Sequence, residues 1–299
     1  MTKESEESLT NVTTGISMDE IVQKAGVLIE ALPYIKKFRG QEILIKYGGA
    51  AMDDENNRLN VLQDLVFMNY VGIKPILIHG GGPAITAALK KAGVESKFVN
   101  GLRVTDQKTI DVVVETLGEI NKNIVHDLNH LGARAIGLGH GNEILLVKKV
   151  EEPDIGFVGE VIDVNTKPIK ELTDFGMIPV IYTIGVDEHG QLYNVNADEA
   201  AAKIAGAIGV QKMMVLTNVR GVLRNGQDPS SLVSSCSAEE VSSMIKKSII
   251  SGGMIPKVNA CVTALQRGVR KAHIVDGRTP HSLLLEIFTD QGIGTEITP

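Results

Sequence analysis

The chain has 299 residues, of which 43% are hydrophobic and 22% charged, which is enough apolar material for one large or two fused α/β domains. Its formal net charge is −6 and it contains no block of Lys and Arg, so binding to nucleic acid or to an anionic membrane is not indicated. Because it has two cysteines, no signal-peptide pattern and no apolar run of about 18 residues, we expect a cytoplasmic protein that binds small molecules.

The N-terminal segment falls into two parts. Residues 1–17 are rich in Ser, Thr and Glu and predict a disordered leader. Apolar residues then recur at spacings of three and four, at Ile21, Ala25, Leu28, Ile29 and Leu32. This pattern predicts a helix over residues 18–37, in which Pro33 marks a bend or an end. Because this helix precedes the first strand, its apolar stripe must find a partner elsewhere.

The next segments repeat the order of buried strand, glycine turn and helix. A strand over 42–47 precedes Gly48-Gly49 and a helix over 60–71, and a strand over 75–79 precedes three glycines and a helix ending at Lys91. Further strands are predicted at 135–138, 178–182, 212–216 and 272–275, and a hairpin within 143–164. This order predicts an α/β fold, a three-layer αβα sandwich around a mostly parallel open sheet. A boundary near residue 190 divides 38–190 from 191–299.

Two glycine turns are candidates for phosphate binding. Lys46 ends a buried strand beside Gly48 and Gly49, at the edge of an α/β sheet where ligands usually bind. The second turn, residues 79–83, offers three glycine amides at the start of a helix, where an anion is favoured. The alternatives are a lysine that extends into solvent and a tight turn without a ligand. Neither turn matches GxxxxGK(S/T) or GxGxxG, so a P-loop or dinucleotide fold is disfavoured.

Two charged residues in the second half are further candidates. Asp198 falls at the start of an Ala-rich helix, where a carboxylate commonly caps the helix. Lys257 follows a Gly-Gly hinge and Pro256, ahead of another helix. From the residues alone, capping by Asp198 and a solvated surface position for Lys257 remain open alternatives.

Five strings taken in order resemble the amino acid kinase family: KYGGAAM (46–52), HGGGP (79–83), NGLRVTD (100–106), NVNADEAA (194–201) and GGMIPKV (252–258). The resemblance extends from Ala31 to Ile297. It implies the amino acid kinase fold and transfer of the γ-phosphate of ATP, with Mg²⁺, to a carboxylate. The string NGLRVTD is typical of family members that act on the side chain of N-acetyl-L-glutamate in arginine biosynthesis.

The same resemblance implies roles for individual residues. Lys46 would bind the transferring phosphoryl group, Lys257 would stabilise the nucleotide phosphates and the leaving oxygen, and Asp198 would orient both lysines. The amides of Gly49 and Gly81 would bind the phosphoryl oxygens. The acetylglutamate pocket would be completed by Arg103, which suits a carboxylate, together with Gly81, Gly82 and Asn194.

Nucleotide binding is implied mainly for the second half. The residues are Gly48, Gly49, Thr217, Asn218, Gly221, Leu223, Ile249 and Ser251. The common family pattern has Asp at the position of Asn218, which leaves the contact made there in doubt. No zinc pattern such as HExxH occurs, so we expect no metal held by protein side chains, and Mg²⁺ would arrive with ATP, bound mainly by phosphates and water.

Regulation is implied for both ends of the chain. The N-terminal helix resembles an extension that joins dimers into hexamers, as trimers of dimers, in arginine-inhibited family members. The tail resembles that subset too, and implies an L-arginine site around Lys212, His273, Glu286 and Gly292. Some relatives also bind a PII signalling protein, which adds a candidate partner.

Three other functions compete with this one. A glutamate or aspartate kinase of the same family is the nearest enzymatic rival, and a catalytically silent amino-acid sensor is a second. Lys46, Asp198 and Lys257 together argue against a sensor. A nicotinamide-dependent dehydrogenase is disfavoured because the glycine run lacks the GxGxxG spacing.

Overall fold

The computed structural model describes residues 17–49, 52, 54–290 and 292–299, so residues 1–16 of the predicted leader lie outside the described residues. The helices are α1 (Met18–Phe38), α2 (Glu55–Tyr70), α3 (Gly82–Lys91), α4 (Gln107–His130), α5 (Lys167–Asp174), α6 (Ala197–Ile208), α7 (Ala238–Lys246), α8 (Met254–Gln266) and α9 (Ser282–Ile287). The strands are β1 (Glu42–Tyr47), β2 (Lys74–His79), β3 (Phe98–Val99), β4 (Leu102–Arg103), β5 (Ala135–Leu138), β6 (Leu145–Lys149), β7 (Gly159–Val164), β8 (Ile178–Tyr182), β9 (Ile184–Val186), β10 (Leu192–Asn194), β11 (Lys212–Thr217), β12 (Ser235–Ser237), β13 (Lys271–Asp276) and β14 (Thr295–Thr298).

The main sheet has eight strands in the order β12-β14-β13-β11-β1-β2-β8-β5. Neighbouring strands run parallel except for β13 and β14, which are antiparallel. Helices cover both faces, so the predicted α/β fold with a mostly parallel sheet is confirmed. Strands β6 and β7 pair as the predicted antiparallel hairpin and belong to a smaller four-stranded sheet, β10-β9-β6-β7.

Side chains of the central strands alternate between two hydrophobic cores. On β1, Leu44 packs into the core formed with α6 and α8, whereas Ile43 and Ile45 pack into the core formed with α2, α4 and α9. Because strand side chains alternate with a period of two, Lys46 lies on the α6 face together with Leu44. The same alternation places His79 of β2 on the α4 face, together with Leu77.

Helix α1 continues through Pro33 to Phe38, so of the two alternatives predicted at Pro33 the helix end is wrong. Proline removes one backbone donor, and the carbonyl that loses its partner belongs to Ile29, a 69% exposed residue whose surroundings are open to water. The apolar residues of α1 that face solvent are Met18, Ile21, Val22, Val27, Leu28, Ile29 and Leu32. The stripe therefore finds no partner among the described residues of one chain.

Helix α2 begins at Glu55, five residues before the predicted start, because the side chain of Asp54 accepts a hydrogen bond from the Asn57 amide and caps it. Farther along α2, the buried Asp64 carboxylate accepts hydrogen bonds from His281 Nδ1 at 2.7 Å and from the Leu283 amide at 3.1 Å. Burial raises the pKa of Asp64 to about 6. These bonds attach the start of α9 to α2.

Among the described helices, none has the length and apolar character needed to cross a bilayer.

Candidate functional site

Two lysines from different elements converge on one carboxylate. Lys46 Nζ at the end of β1 lies 2.7 Å from Asp198 Oδ1, and Lys257 Nζ in the first turn of α8 donates to Asp198 Oδ2 at 3.3 Å. The side chain of Lys46 reaches α6 because it shares the face of Leu44. Lys46 is only 6% exposed, so its charge is held in a largely dry environment. The structure therefore brings together the three residues for which the sequence predicted catalysis.

Asp198 is free to bind these lysines because another residue caps α6. The side chain of Asn196 accepts hydrogen bonds from the amides of Asp198 at 2.9 Å and Glu199 at 3.1 Å. The alternative in which Asp198 caps the helix is therefore wrong. A residue at the second helical position points its side chain away from the cap, which leaves the Asp198 carboxylate available to two cations.

Burial and charge act in opposite directions on this cluster. Burial would raise the pKa of Asp198, but the charges of Lys46 and Lys257 outweigh burial and hold that pKa below its ordinary value. Burial also lowers the pKa of Lys46, while the attraction of Asp198 raises it and the repulsion of Lys257 lowers it further. With Asp198 ionised, one carboxylate faces two ammonium groups, and the cluster has a net positive charge suited to an anion.

Both glycine turns reach the same cavity as this cluster. The cavity has a volume of about 290 Å³ and is lined by Lys46, Gly48, Gly49, Gly80, Gly81, Gly82, Pro83, Ile85, Phe98, Gly101, Leu102, Arg103, Leu117, Val158, Thr183, Asn194, Val195, Asn196, Ala197 and Asp198. A Cβ added at Gly48 would lie 3.2 Å from Lys46 Nζ, so the ammonium group lies directly over this glycine. A Cβ at Gly81 would lie 2.8 Å from the side chains of Leu117 and Ile120, so α4 packs closely against that turn.

The start of α3 adds backbone donors to this cavity. Gly81 precedes the helix, and Pro83 occupies its first turn. Across the described chain, the Gly81 amide has no hydrogen-bond acceptor. The helix N-terminus also carries the positive end of the helix dipole. The turn can therefore bind an anion, as the sequence predicted.

Arg103 on β4 is fixed at the opposite wall of the cavity. Its Nη1 donates to Ser96 Oγ at 2.6 Å, and its Nη2 donates to Gly82 O at 3.1 Å and Thr86 Oγ1 at 2.9 Å. Its guanidinium also lies 4.7 Å from the centre of the Phe98 ring. These contacts use three of the five N–H groups of arginine, so the described contacts leave two donors for a ligand.

Asn194 is connected to the backbone of Arg103 by two hydrogen bonds through Thr105. Asn194 Nδ2 donates to Thr105 Oγ1 at 3.3 Å, and that hydroxyl donates to Arg103 O at 2.7 Å. The backbone amide of Asn194 is already bound to Phe157 O at 2.9 Å.

Sequence reasoning missed Thr183, which also lines the 290 Å³ cavity. Its position directly after β8, beside β2, could have identified it.

The predicted nucleotide residues outside the glycine turns lie in the second half, around the carboxyl end of β11. Thr217 is the last residue of β11, and its hydroxyl donates to Asn218 Oδ1 at 3.4 Å. Gly221 packs against β14, where a Cβ would overlap Thr295 Oγ1, and Leu223 pairs with Leu232. Ile249 and Ser251 precede α8. The structure places these six residues outside the 290 Å³ cavity.

The four residues predicted for an effector line a second cavity, of about 600 Å³. Its wall combines Lys212, His273, Glu286 and Gly292 with Tyr34, Lys37 and Phe38 of α1 and with Lys271 and Glu296. His273 Nδ1 donates to Glu286 Oε1 at 2.7 Å, and Glu286 Oε2 accepts from the amides of Ile293 and Gly294. Burial would raise the pKa of Glu286, but these hydrogen bonds outweigh burial and lower it. Glu286 is therefore an ionised, buried carboxylate.

Comparison of this sequence with known proteins indicates the same family as the five strings. The model of the amino acid kinase family matches residues 41–276. A protein named acetylglutamate kinase from Caldanaerobacter subterraneus subsp. tengcongensis is 51% identical, with 93% of this chain and 94% of that protein covered. Another of that name, from Nostoc sp., is 50% identical, with 91% and 92% covered. These findings confirm the resemblance predicted from the five strings.

Solved structures support the fold. N-acetylglutamate synthase from Neisseria gonorrhoeae, complexed with coenzyme A and N-acetyl-glutamate, has a TM-score of 0.83 at 24% identity, covering 92% of this chain and 63% of that chain. Carbamate kinase from Giardia lamblia bound to AMP-PNP has a TM-score of 0.67 at 17% identity, covering 87% and 98%. At these identities the likeness concerns the fold alone.

The two residues at the start of α6 have separable effects on stability. Asn196→Ala removes only the helix cap and is expected to lower the free energy of unfolding by about 1 kcal/mol. Asp198→Ala leaves the buried Lys46 without a counter-charge, and the expected loss is about 3 kcal/mol. Urea denaturation of both variants measures these losses of unfolding free energy. The comparison holds when the slope of that free energy against urea concentration matches the wild-type slope. Equal losses in the two variants would contradict the separate roles.

Proposed function

The chain belongs to the amino acid kinase family, and we propose that it transfers the γ-phosphoryl group of ATP to the side-chain carboxylate of N-acetyl-L-glutamate. The product is N-acetyl-L-glutamyl 5-phosphate. The observation that carries the proposal is that Lys46 and Asp198 line a cavity together with glycine backbone, and that Lys257 pairs with the same Asp198. Relatives at about 50% identity that are named acetylglutamate kinase support this substrate.

The chemistry requires charge neutralisation rather than proton removal. A side-chain carboxylate with an ordinary pKa of about 4.3 is ionised at neutral pH, so its oxygen can attack without a general base. The difficulty is that this anion must approach an anionic phosphoryl group in line. Lys46 reduces that repulsion from the β1 side, and Lys257 stabilises the charge that develops on the leaving oxygen. Asp198 holds both ammonium groups in place.

The acceptor binds along the wall that carries Arg103. Two guanidinium donors, one on Nε and one on Nη1, remain for the substrate, and the fixed positive charge of Arg103 suits a carboxylate. Asn194 and the backbone of Gly82 lie on either side. A cavity of about 290 Å³ is open to a small acylated amino acid and leaves the nucleotide to approach from the second half.

The nucleotide binds against the loops that follow β11 and precede α8. Three features fit a polyphosphate chain at this edge of the sheet: the net positive lysine cluster, the start of α3, and the Gly81 amide, which has no acceptor among the described residues. Magnesium accompanies ATP and neutralises part of the phosphate charge when it is bound. Asn218 contributes a neutral amide to this loop.

Acceptor specificity tests the proposal directly. We expect ADP release with N-acetyl-L-glutamate to exceed that with glutamate, aspartate or carbamate by at least about 100-fold. Glutamate and aspartate would bring an unpaired ammonium group into the acceptor cavity, and carbamate lacks a second carboxylate for Arg103 to bind. A coupled ADP-release assay with the four acceptors measures this preference. Higher turnover on free glutamate or aspartate would assign the chain to the rival kinases, and turnover with none of them would favour a silent sensor.

The proposed residue roles predict different kinetic effects. Lys46→Ala and Lys257→Ala should each lower kcat by roughly 100-fold to 1000-fold, because each removes a cation that stabilises the transferring group. Arg103→Ala should mainly raise KM for the acceptor, and Arg103→Lys should recover only part of the loss because an ammonium cannot both hold the contacts to Ser96, Gly82 and Thr86 and bind the acceptor. Steady-state kinetics measure these effects. Wild-type kcat in both lysine variants contradicts the roles.

We also propose that the 600 Å³ cavity binds L-arginine as an inhibitor. The ionised Glu286 carboxylate suits a guanidinium or an α-ammonium group, and Glu296 adds a second acid at the same wall. Because α1 contributes Tyr34, Lys37 and Phe38, a ligand there contacts the N-terminal helix. The exposed apolar stripe of α1 supports a hexamer in which these helices join dimers. Binding of a PII protein stays a prediction.

Glu286→Gln tests the effector site without touching the catalytic cluster. The variant keeps an acceptor oxygen for the amides of Ile293 and Gly294 but removes the charge. We expect the arginine concentration for half-inhibition to rise at least about tenfold while kcat without arginine stays within about twofold. The assay is ADP release over increasing arginine. Unchanged wild-type turnover in millimolar arginine would reject inhibition.

A further inference from the structure

A buried histidine lies behind the glycine turn and is used by none of the steps above. His79 ends β2 on the face opposite Lys46 and is fully buried. Its Nδ1 lies 3.1 Å from the carbonyl oxygen of Gly80, and its Nε2 lies 3.0 Å from Asn121 Nδ2 on α4. Asn121 Nδ2 also donates to Val180 O at 2.9 Å.

These contacts fix the protonation of the ring. A carbonyl oxygen can only accept, so Nδ1 must carry the proton that His79 donates to Gly80. The amide of Asn121 donates to Val180 O and, with its second hydrogen, to Nε2, which must therefore be unprotonated. Burial lowers the pKa of His79 to about 4, so the ring is neutral at pH 7. The three groups thus form one consistent hydrogen-bonded chain.

The bond to Val180 O orients the amide, because a carbonyl oxygen needs a donor, and Gly137 makes room for Asn121. Its Oδ1 lies where a Cβ on Gly137 would overlap it, so the absence of a side chain at that β5 position makes room for the amide. Asn121 is also a buried polar residue within the apolar stripe of α4, which contains Ile110, Val113, Leu117, Ile124 and Leu128. A polar group at such a position has a cost unless it is fully hydrogen-bonded, which indicates a specific role.

The bond to Gly80 controls the direction of the next amide. In a trans peptide the C=O of one residue and the N–H of the next point in opposite directions. With its C=O directed at His79, the Gly80–Gly81 peptide directs the Gly81 N–H away from the α4 core. Bonds from Gly80 N to Tyr47 O and from Ile85 N to Gly81 O hold the flanking peptides. Within the described part of the chain, His79 is the only hydrogen-bond partner of Gly80 O.

We propose that His79 and Asn121 are positioning residues that hold the Gly80–Gly81 peptide so that the Gly81 N–H faces the phosphoryl-transfer cavity. Glycine tolerates many backbone angles, so three consecutive glycines could rotate this peptide at little cost. Rotation would turn a carbonyl dipole toward the anion in place of a donor. The proposal rests on the proposed function only for the identity of that anion.

Kinetics of three variants test the positioning role. His79→Leu removes the donor, and kcat should fall roughly 100-fold, the usual loss for one donor to a transition state, while KM for N-acetyl-L-glutamate changes less than about threefold. His79→Asn can still donate to Gly80 O and should recover kcat to within about tenfold of wild type. Leu128→Ala is the matched control, because it destabilises the same helix away from the turn and should leave kcat within about twofold.

Solid-state ¹⁵N NMR of histidine-labelled protein gives a readout that does not depend on activity. At pH 7 the signal that disappears in His79→Asn should show protonated Nδ1 and unprotonated Nε2. An Nε2-protonated or doubly protonated ring overturns the inference. So does wild-type kcat in His79→Leu, or a loss in Leu128→Ala as large as that in His79→Leu. If wild type fails to phosphorylate N-acetyl-L-glutamate, the proposed function fails while the NMR result still decides the hydrogen-bonded chain.

Discussion

The placement of two ammonium groups, one buried and one half-buried, against one carboxylate constrains the rest of the site. A lysine as buried as Lys46 is stable only with a counter-charge, and Asp198 supplies one at 2.7 Å. Because Lys257 shares the same acid, the cluster keeps an excess positive charge that a bound anion can balance. The fold must therefore bring β1, α6 and α8 to one point, and the α6 cap by Asn196 makes this possible.

Strand alternation separates the charged groups from the groups that support them. Lys46 and His79 lie at the ends of neighbouring strands, in register with Ile78 and Tyr47, yet their side chains point to opposite faces of the sheet. One face carries the cations, and the other carries a neutral hydrogen-bonded chain behind the glycine turn. Six glycines line the cavity, and their backbone can approach an anion more closely than side chains could.

Local sequence patterns predicted six of the eight strands of the main sheet, the glycine turns and the charged residues near their ends, because apolar runs and glycines act over a few residues. They missed β12 and β14 of that sheet. They left Asp198 undecided between capping and catalysis, since a cap depends on backbone angles that place Asn196 first. They also missed Asn121, whose partners lie 42 and 59 residues away in the chain. Its polar character within an apolar helix stripe was the available signal. The 600 Å³ cavity brings Tyr34 together with residues beyond 210, which no local pattern can specify.

The two cavities lie at opposite ends of the same strands. Lys212 begins β11 and lines the larger cavity, whereas Thr217 ends β11 beside the predicted nucleotide loop, about 17 Å farther along an extended strand. A ligand at the amino end cannot contact the reacting groups, so its effect must pass through elements that reach both ends. Strand β11 pairs with β1, and Val215 lies in register with Lys46. A ligand that changed the position of β11 relative to β1 would thus change the distance between the loop after β11 and Lys46.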